Sequence, residues 1–258
     1  MNVGICKLSI IPLRASPSHR SEMVSQVLFA EQFEVLRQQD EWAHVRMLDT
    51  GYEGWLQWGQ FTLLPEESTV NISMDNGLVV DIRGGTASFG NEKVDLVPGT
   101  KIAKQLVEQL NSAFPYHIEG NLRRPSLTDF HIEFPKLING YHNSPYLWGG
   151  RTRYGIDCSG LSQALYTHFG ITLPRDAYQQ AEHGEVVDSL SGIKPGDLAF
   201  FDNEEGRITH VGIMIDIETI FHASVSVRID KLDAEGIFNP EQNRYTHKLR
   251  VIKRFFER

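Results

Sequence analysis

Asp157-Cys158-Ser159-Gly160 places a thiol where a polar residue gives way to an apolar helical stripe. A cysteine is a weak nucleophile until it ionises, with an ordinary pKa of ~8.5. In the first turn of a helix, unpaired N–H groups and the positive end of the macrodipole favour the thiolate. The same N–H groups can donate to the oxyanion that forms when a thiolate attacks a carbonyl. Such a thiolate needs a base. Thr209-His210-Val211-Gly212-Ile213-Met214-Ile215 reads as a strand with His210, Gly212 and Met214 on one face, a face suited to meet the helix start. His222 follows in Ile220-Phe221-His222-Ala223-Ser224. Paired with the first strand, His222 would hydrogen-bond His210 and fix its tautomer, the orienting role that thiol hydrolases require. Each residue alone has a plainer reading: a buried structural cysteine, a satisfied strand histidine among 10, an edge histidine.

The elements that must hold these groups follow from local pattern. From about residue 128 the texture is α+β. A helix is expected over 133–141, a loop at Tyr146-Leu147-Trp148-Gly149-Gly150, and a helix over 158–169 stopped by Gly170. Leu161, Ala164, Leu165 and Phe169 give that second helix one buried stripe. Strands are expected at 197–201, 211–215, 220–223 and 225–229. Residues 1–64 read as short strands with period-two alternation over 31–36 and 42–48, separated by turns at Asp40-Glu41 and Asp49-Thr50-Gly51. Close turns between short strands suggest a small all-β barrel. Residues 65–127 suggest a linker at Pro65-Glu66-Glu67-Ser68 and strands at 79–82, 93–97 and 101–102. Turns fall at Gly84-Gly85 and Pro98-Gly99, and a short helix at 104–110. The expected organisation is multi-domain: a barrel at 1–64, a second small β-rich or linker domain at 65–127, and an α+β domain at 128–258.

Composition narrows the function. The 258 residues carry a formal net charge of -8, which argues against nucleic acid and against a polybasic membrane surface. Two cysteines, Cys6 and Cys158, rule out a disulfide framework and a site built on several thiolates. Cys6 sits in an apolar strand and reads as structural. No HExxH, EF-hand or paired CxxC motif occurs, so no metal or other cofactor is expected. Asn71-Ile72-Ser73 fits a glycosylation sequon, which means little outside a secretory context. No window approaches the ~18 apolar residues of a membrane span. No signal peptide is read at the start, so a cytoplasmic protein is expected, or an exported one if a signal has been removed.

Five motifs in order closely resemble the NlpC/P60 cysteine peptidase family over about residues 130–255. They are Pro145-Tyr146-x-Trp148-Gly149-Gly150, Asp157-Cys158-Ser159-Gly160, Leu173-Pro174-Arg175-Asp176, Lys194-Pro195-Gly196-Asp197-Leu198 and His210-Val211-Gly212-Ile213. The resemblance implies a papain-like fold reduced to its core. It implies Cys158 as nucleophile, His210 as base, His222 as orienter and Tyr146 as an oxyanion donor, unless Tyr146 merely packs its loop. Asp157 and Ser159 match cleft residues, with Asp157 either binding a free amino group or capping its helix. Arg175 and Asp176 match the family's Arg-Asp pair. Arg175 would hold a substrate carboxylate in bidentate fashion, or pair with Asp176 or another acid.

Residues 1–64 resemble a bacterial SH3-like domain through Leu28-Phe29-Ala30-Glu31, Trp42, Val45 and Tyr52-x-Gly54-Trp55. The combination is similar to a subgroup that cleaves γ-D-glutamyl-L-diamino acid bonds. There the SH3-like domain closes one end of the cleft and admits only peptides with a free N-terminal L-Ala. Tyr52 then contacts substrate or packs the barrel, and an acidic partner falls near Glu22, although the alignment lands closer to Val24. The implied partner is a murein-derived peptide, the expected state a monomer, and the expected role recycling of wall peptides. The alternatives are another wall amidase or transpeptidase, and a non-catalytic wall-binding protein.

Overall fold

The computed structural model describes residues 2–65, 77–103 and 115–256. Its first unit is a seven-stranded antiparallel sheet with the spatial order Met23–Leu28, Ile10–Arg14, Glu53–Gln57, Trp42–Met47, Gln32–Gln39, Val3–Cys6, Phe61–Leu63. Period-two alternation builds its core. Phe33 opposes Met47 and Val35 opposes Val45, and these side chains join Ile11, Leu13, Val27 and Leu56 in one apolar cluster. Cys6 is fully buried there, and burial pushes its thiol up to about 12. This is an SH3-like β unit.

The second unit is a four-stranded sheet centred on Leu78–Phe89, which bonds to Lys101–Ile102, Glu92–Leu96 and His117–Arg123. The turn expected at Gly84-Gly85 does not form, because both glycines lie inside this 12-residue strand. Gly84 has φ +80°, and a Cβ on Gly85 would stand 2.8 Å from the Glu119 carbonyl oxygen. The partner strand shifts register between Gly120 and Leu122. The glycines therefore bend one continuous strand across an irregular pairing instead of reversing the chain. Val80, Ala87, Leu96 and Ile102 share a cluster with Val3, Ile5, Phe29 and Leu64. The two sheets thus bury their apolar faces against each other. Residues 66–68 of the expected linker, the sequon and the helix expected at 104–110 lie outside the described residues.

The third unit holds helices α1 (Phe130–Tyr141), α2 (Cys158–Thr167) and the short α3 (Ala177–Gln180). Its antiparallel sheet runs Glu185–Val186, Arg244–Arg254, Leu198–Asp202, Ile208–Met214, Thr219–Ala223, Val227–Leu232, Gly236–Asn239. The strand Gly236–Asn239 also pairs with Arg244–Arg254, so six of the strands close on themselves. Alternation separates two cores. Leu198, Phe200, Val211, Ile213 and Phe221 pack with Leu161, Leu165 and Phe169 beneath α2. Ala199, Phe201, Met214, Ile220, Ile237 and Ile252 fill the inside of the closed sheet. Helix α2 therefore lies on the Val211/Ile213 face, opposite to the His210 face that was expected to meet it.

Buried polar contacts join the units. The Arg151 guanidinium grips both carboxylate oxygens of Glu31 at 2.8 and 2.9 Å and donates to the Gln26 carbonyl at 2.6 Å. Lys101 pairs with Asp49 at 3.0 Å. Arg123 donates to the His168 carbonyl at 2.6 Å. His168 itself, at the end of α2, is 1% exposed, and neither ring nitrogen has a hydrogen-bond partner among the described residues. Burial, reinforced by the Arg123 charge, drops its pKa from 6.5 to about 3. Below pH ~6.5 the unfolded chain takes up a proton that the folded chain refuses. This contribution is therefore complete above that pH and lost as the pH falls towards 3. His168→Leu is expected to flatten the fall in stability over that window by up to about 1.4 kcal/mol per pH unit. Denaturant midpoints measured across the window check this, and an unchanged slope would contradict it.

Candidate active site

The loop 146–150 and helix α2 fix the cysteine. Asp157 caps the helix, its Oδ1 accepting from the Gly160 N–H at 2.7 Å, while its Oδ2 accepts from the Gly149 N–H at 2.8 Å. Gly149 has φ +79°, and a Cβ there would overlap the Met23 carbonyl of the SH3-like unit. Only glycine lets the loop pass so close to the neighbouring domain. Cys158 is 9% exposed and lines a cleft of about 480 Å³.

The strand Ile208–Met214 meets the cysteine at a free edge. Its pairing with Thr219–Ala223 runs from Met214↔Ile220 only to Gly212↔His222. His210 and Val211 lie beyond that register, and the Val211 N–H hydrogen-bonds to Cys158, as does that of Ser159. Cys158 thus sits against the residue next to His210 in the chain. Burial, followed by the Asp157 carboxylate, pushes the thiol up to about 12 despite these N–H groups and Arg175. The thiolate expected from the helix start alone is therefore outweighed. The thiol keeps its proton until a base takes it.

His210 and His222 are 6% and 1% exposed. His210 Nε2 lies 3.0 Å from His222 Nδ1. His222 Nε2 lies 3.0 Å from Asp230 Oδ2, and Arg228 donates to Asp230 Oδ1 at 2.9 Å. His247 stacks on His210, with ring centroids 4.1 Å apart and planes at 26°. Burial, then the neighbouring His222 and His247, holds the His210 pKa well below 6.5. The sequence had pointed to neither Asp230 nor His247. Arg228 and Asp230, two apart on one strand and beside His222 in register, carried a usable signal: a charge pair on what should be an inward face. His247 lies in the polar run Tyr245-Thr246-His247-Lys248, whose pattern does not distinguish it.

The remaining candidates fall in two groups. Tyr146 is half-buried, and burial, followed by the charges of Cys158 and Asp157, pushes its phenol up to about 12, so it remains an O–H donor. Tyr52, Asp176, Glu22 and Val24 all line the cleft with Cys158. The Tyr52 hydroxyl donates to Asp176 Oδ1 at 3.4 Å, and Trp148 Nε1 donates to Glu22 Oε1 at 2.5 Å. Burial raises the Asp176 carboxyl above its ordinary value against the pull of Arg175. Of the two alternatives for Arg175, a substrate fork or an ion pair with Asp176 or another acid, the structure has the ion pair with another acid. Arg175 is 3% exposed and pairs with Asp157 through Nη2–Oδ2 at 2.5 Å and Nη1–Oδ1 at 3.1 Å. Its remaining contacts are Ser159 Oγ at 2.7 Å and Ser25 Oγ at 3.0 Å. Its partner is Asp157 and not Asp176, so Asp157 is the helix cap and has no oxygen free for an amino group.

Among the described residues no cluster of three or more His, Cys, Asp or Glu side chains is arranged to hold a metal ion. No helix among them is long and apolar enough to cross a membrane. A larger apolar groove of about 700 Å³, lined by Phe134, Ile138, Pro195, Ile215 and Ile229, shares no residue with the Cys158 cleft.

Comparison with known proteins agrees with this geometry. Residues 143–250 match the NlpC/P60 family and residues 13–59 the bacterial dipeptidyl-peptidase SH3 domain. A Bacillus subtilis protein named gamma-D-glutamyl-L-lysine dipeptidyl-peptidase is 28% identical over 221 residues, covering 77% of this chain and 71% of its own. A Bacillus cereus protein of the same name is 33% identical over 126 residues, which span 47% of this chain but only 36% of the relative. The crystal structure of an NlpC/P60 family protein from Bacillus cereus superposes with a TM-score of 0.72 at 18% identity, covering 98% of this chain and 99% of the other, and so shares the fold. With a bacterial SH3 domain leading it, the domain that carries Cys158, His210 and His222 is an NlpC/P60 cysteine peptidase domain.

Proposed function

We propose that the chain is a cysteine endopeptidase that hydrolyses the γ-D-glutamyl-L-diamino acid bond of murein-derived peptides with a free N-terminal L-Ala. The observation that carries this reading is the shared cleft: Glu22 and Tyr52 of the SH3-like unit stand in the same pocket as Cys158. An end wall with Glu22 and Asp176 suits an ammonium group at hydrogen-bonding distance. The names of the two Bacillus relatives support the same bond. A cleft that requires a free amine suits released peptides, since in intact wall that nitrogen is acylated.

The chemistry follows from burial. A lone thiolate or a lone imidazolium is disfavoured in this site, but proton transfer from Cys158 to His210 creates both together, where they attract. The sulfur attacks the γ-carbonyl carbon. The Cys158 N–H and the Tyr146 hydroxyl hold the oxyanion. His210 gives its proton to the departing amine, leaving a thioester that water hydrolyses with His210 as base. Two arginines line the cleft. Arg175 is committed to Asp157, whereas Arg207 has no ion pair among the described residues and lies 5.5 Å from the Tyr178 ring centroid. Arg207 is therefore the residue to hold a substrate carboxylate.

Mass spectrometry of L-Ala-γ-D-Glu-meso-diaminopimelate should show L-Ala-D-Glu and the free diamino acid. The same peptide with its amine acetylated should stay intact, and cleavage of both would remove the end-wall argument. Cys158→Ala should fold normally and release no product. Arg207→Ala should raise KM about 10–100-fold, the loss of a charge-assisted hydrogen bond, with kcat nearly unchanged. Because His210 must be neutral to accept the proton, and its pKa is held down, the acid limb of kcat/KM should lie below pH 6.5. A limb at or above that pH would place another group in control.

A further inference from the structure

We infer that Asp230 is a positioning residue that sets the tautomers of both His222 and His210, and so presents a bare nitrogen to the Cys158 thiol. The argument runs along one chain of hydrogen bonds. Asp230 is held as an anion: burial would raise its pKa, but hydrogen bonds from His222 and Arg228 outweigh that and hold it below the ordinary carboxylate value. An ionised carboxylate only accepts. His222 Nε2, 3.0 Å from Asp230 Oδ2, must therefore carry a hydrogen. A neutral His222 ring with its hydrogen on Nε2 has a bare Nδ1. A bare Nδ1 accepts, so His210 Nε2, 3.0 Å away, must be the donor. His210 then has its hydrogen on Nε2, and Nδ1 is the nitrogen left to take the proton from sulfur.

When the thiol transfers its proton, an S–H bond breaks and an N–H bond forms at His210 Nδ1. The Nε2–H bond to His222 persists, and the positive charge is stabilised through His222 by Asp230. The groups around His222 are His210 on one neighbouring strand, Arg228 and Asp230 on the other, and His247 of the strand Arg244–Arg254, its ring centroid 5.8 Å from that of His222. Among these only Asp230 is an acceptor without a donor hydrogen of its own, so it alone gives the chain its direction. Asp230 does not line the Cys158 cleft.

The inference rests on the proposed pairing of Cys158 with His210, but its first reading needs no substrate. Nitrogen-15 NMR of the imidazoles at neutral pH should show both His210 and His222 as Nε2–H tautomers, and His222 with its hydrogen on Nδ1 would overturn the inference. Asp230→Asn can donate to His222 Nε2, which would invert both rings and place a hydrogen between His210 and the sulfur. That variant should lower kcat about 100-fold, less than the ~10⁴ of an amide placed directly beside a catalytic histidine. KM should change less than twofold. Alkylation of Cys158 by iodoacetamide should slow in parallel, and Asp230→Glu should recover most of the rate. Tautomers and alkylation in Asp230→Asn that match the parent chain would overturn the inference. Should Cys158→Ala still cleave the peptide while the tautomers stand as stated, the hydrolase assignment fails and the Asp230 chain does not.

Discussion

A thiol and an imidazole that are both buried can ionise only together. Burial pushes the Cys158 thiol up and the His210 imidazole down, so neither charge is favoured alone. In the proposed mechanism the site is uncharged at rest, and a charge pair arises only when the proton crosses from sulfur to nitrogen. The rest of the domain serves this constraint. Helix α2 is held by the Asp157 cap, and the strand bearing His210 is held on one side by Leu198–Asp202 and left unpaired on the other before Gly212. That unpaired edge is where the Val211 N–H finds Cys158.

The second requirement is a cleft wall that the catalytic domain does not make by itself. Arg175 ties Asp157 and Ser159 to Ser25 of the SH3-like unit, and Arg151 ties the loop strand to Glu31 and Gln26. Each arginine is nearly enclosed and pairs with a carboxylate in fork geometry, so removal of either partner would strand a buried charge. Glu22 and Tyr52 reach the cleft because these ties fix the position of the first domain.

Much of this was legible in residue order. Period-two alternation gave the strands on either side of the Trp42 turn, and the stripe Leu161, Ala164, Leu165, Phe169 gave α2. Cys158, His210 and His222 stood out through joint spacing, since none is distinctive alone. What failed or stayed open did so for tertiary reasons. The Gly84-Gly85 pair carries a turn signature, but the close approach of Glu119 and Gly120 employs it within a strand. Arg175 offers both a substrate fork and an ion pair in sequence, and Asp157 claims it through a fold that brings residues 18 positions apart together. His247 became visible only when the sheet folded, because folding brings the strand Arg244–Arg254 round to stack His247 on His210.

The shared apolar layer beneath the two leading sheets has its own consequence. Val3, Ile5, Phe29 and Leu64 are covered by Val80, Ala87, Leu96 and Ile102, so the first sheet, which has its own core around Phe33 and Val45, still shares a second apolar layer with its neighbour. Separation would leave two greasy faces in water. Exchange or duplication of either sheet on its own would therefore expose that layer, so a rearranged descendant must either carry both sheets or cover the layer anew.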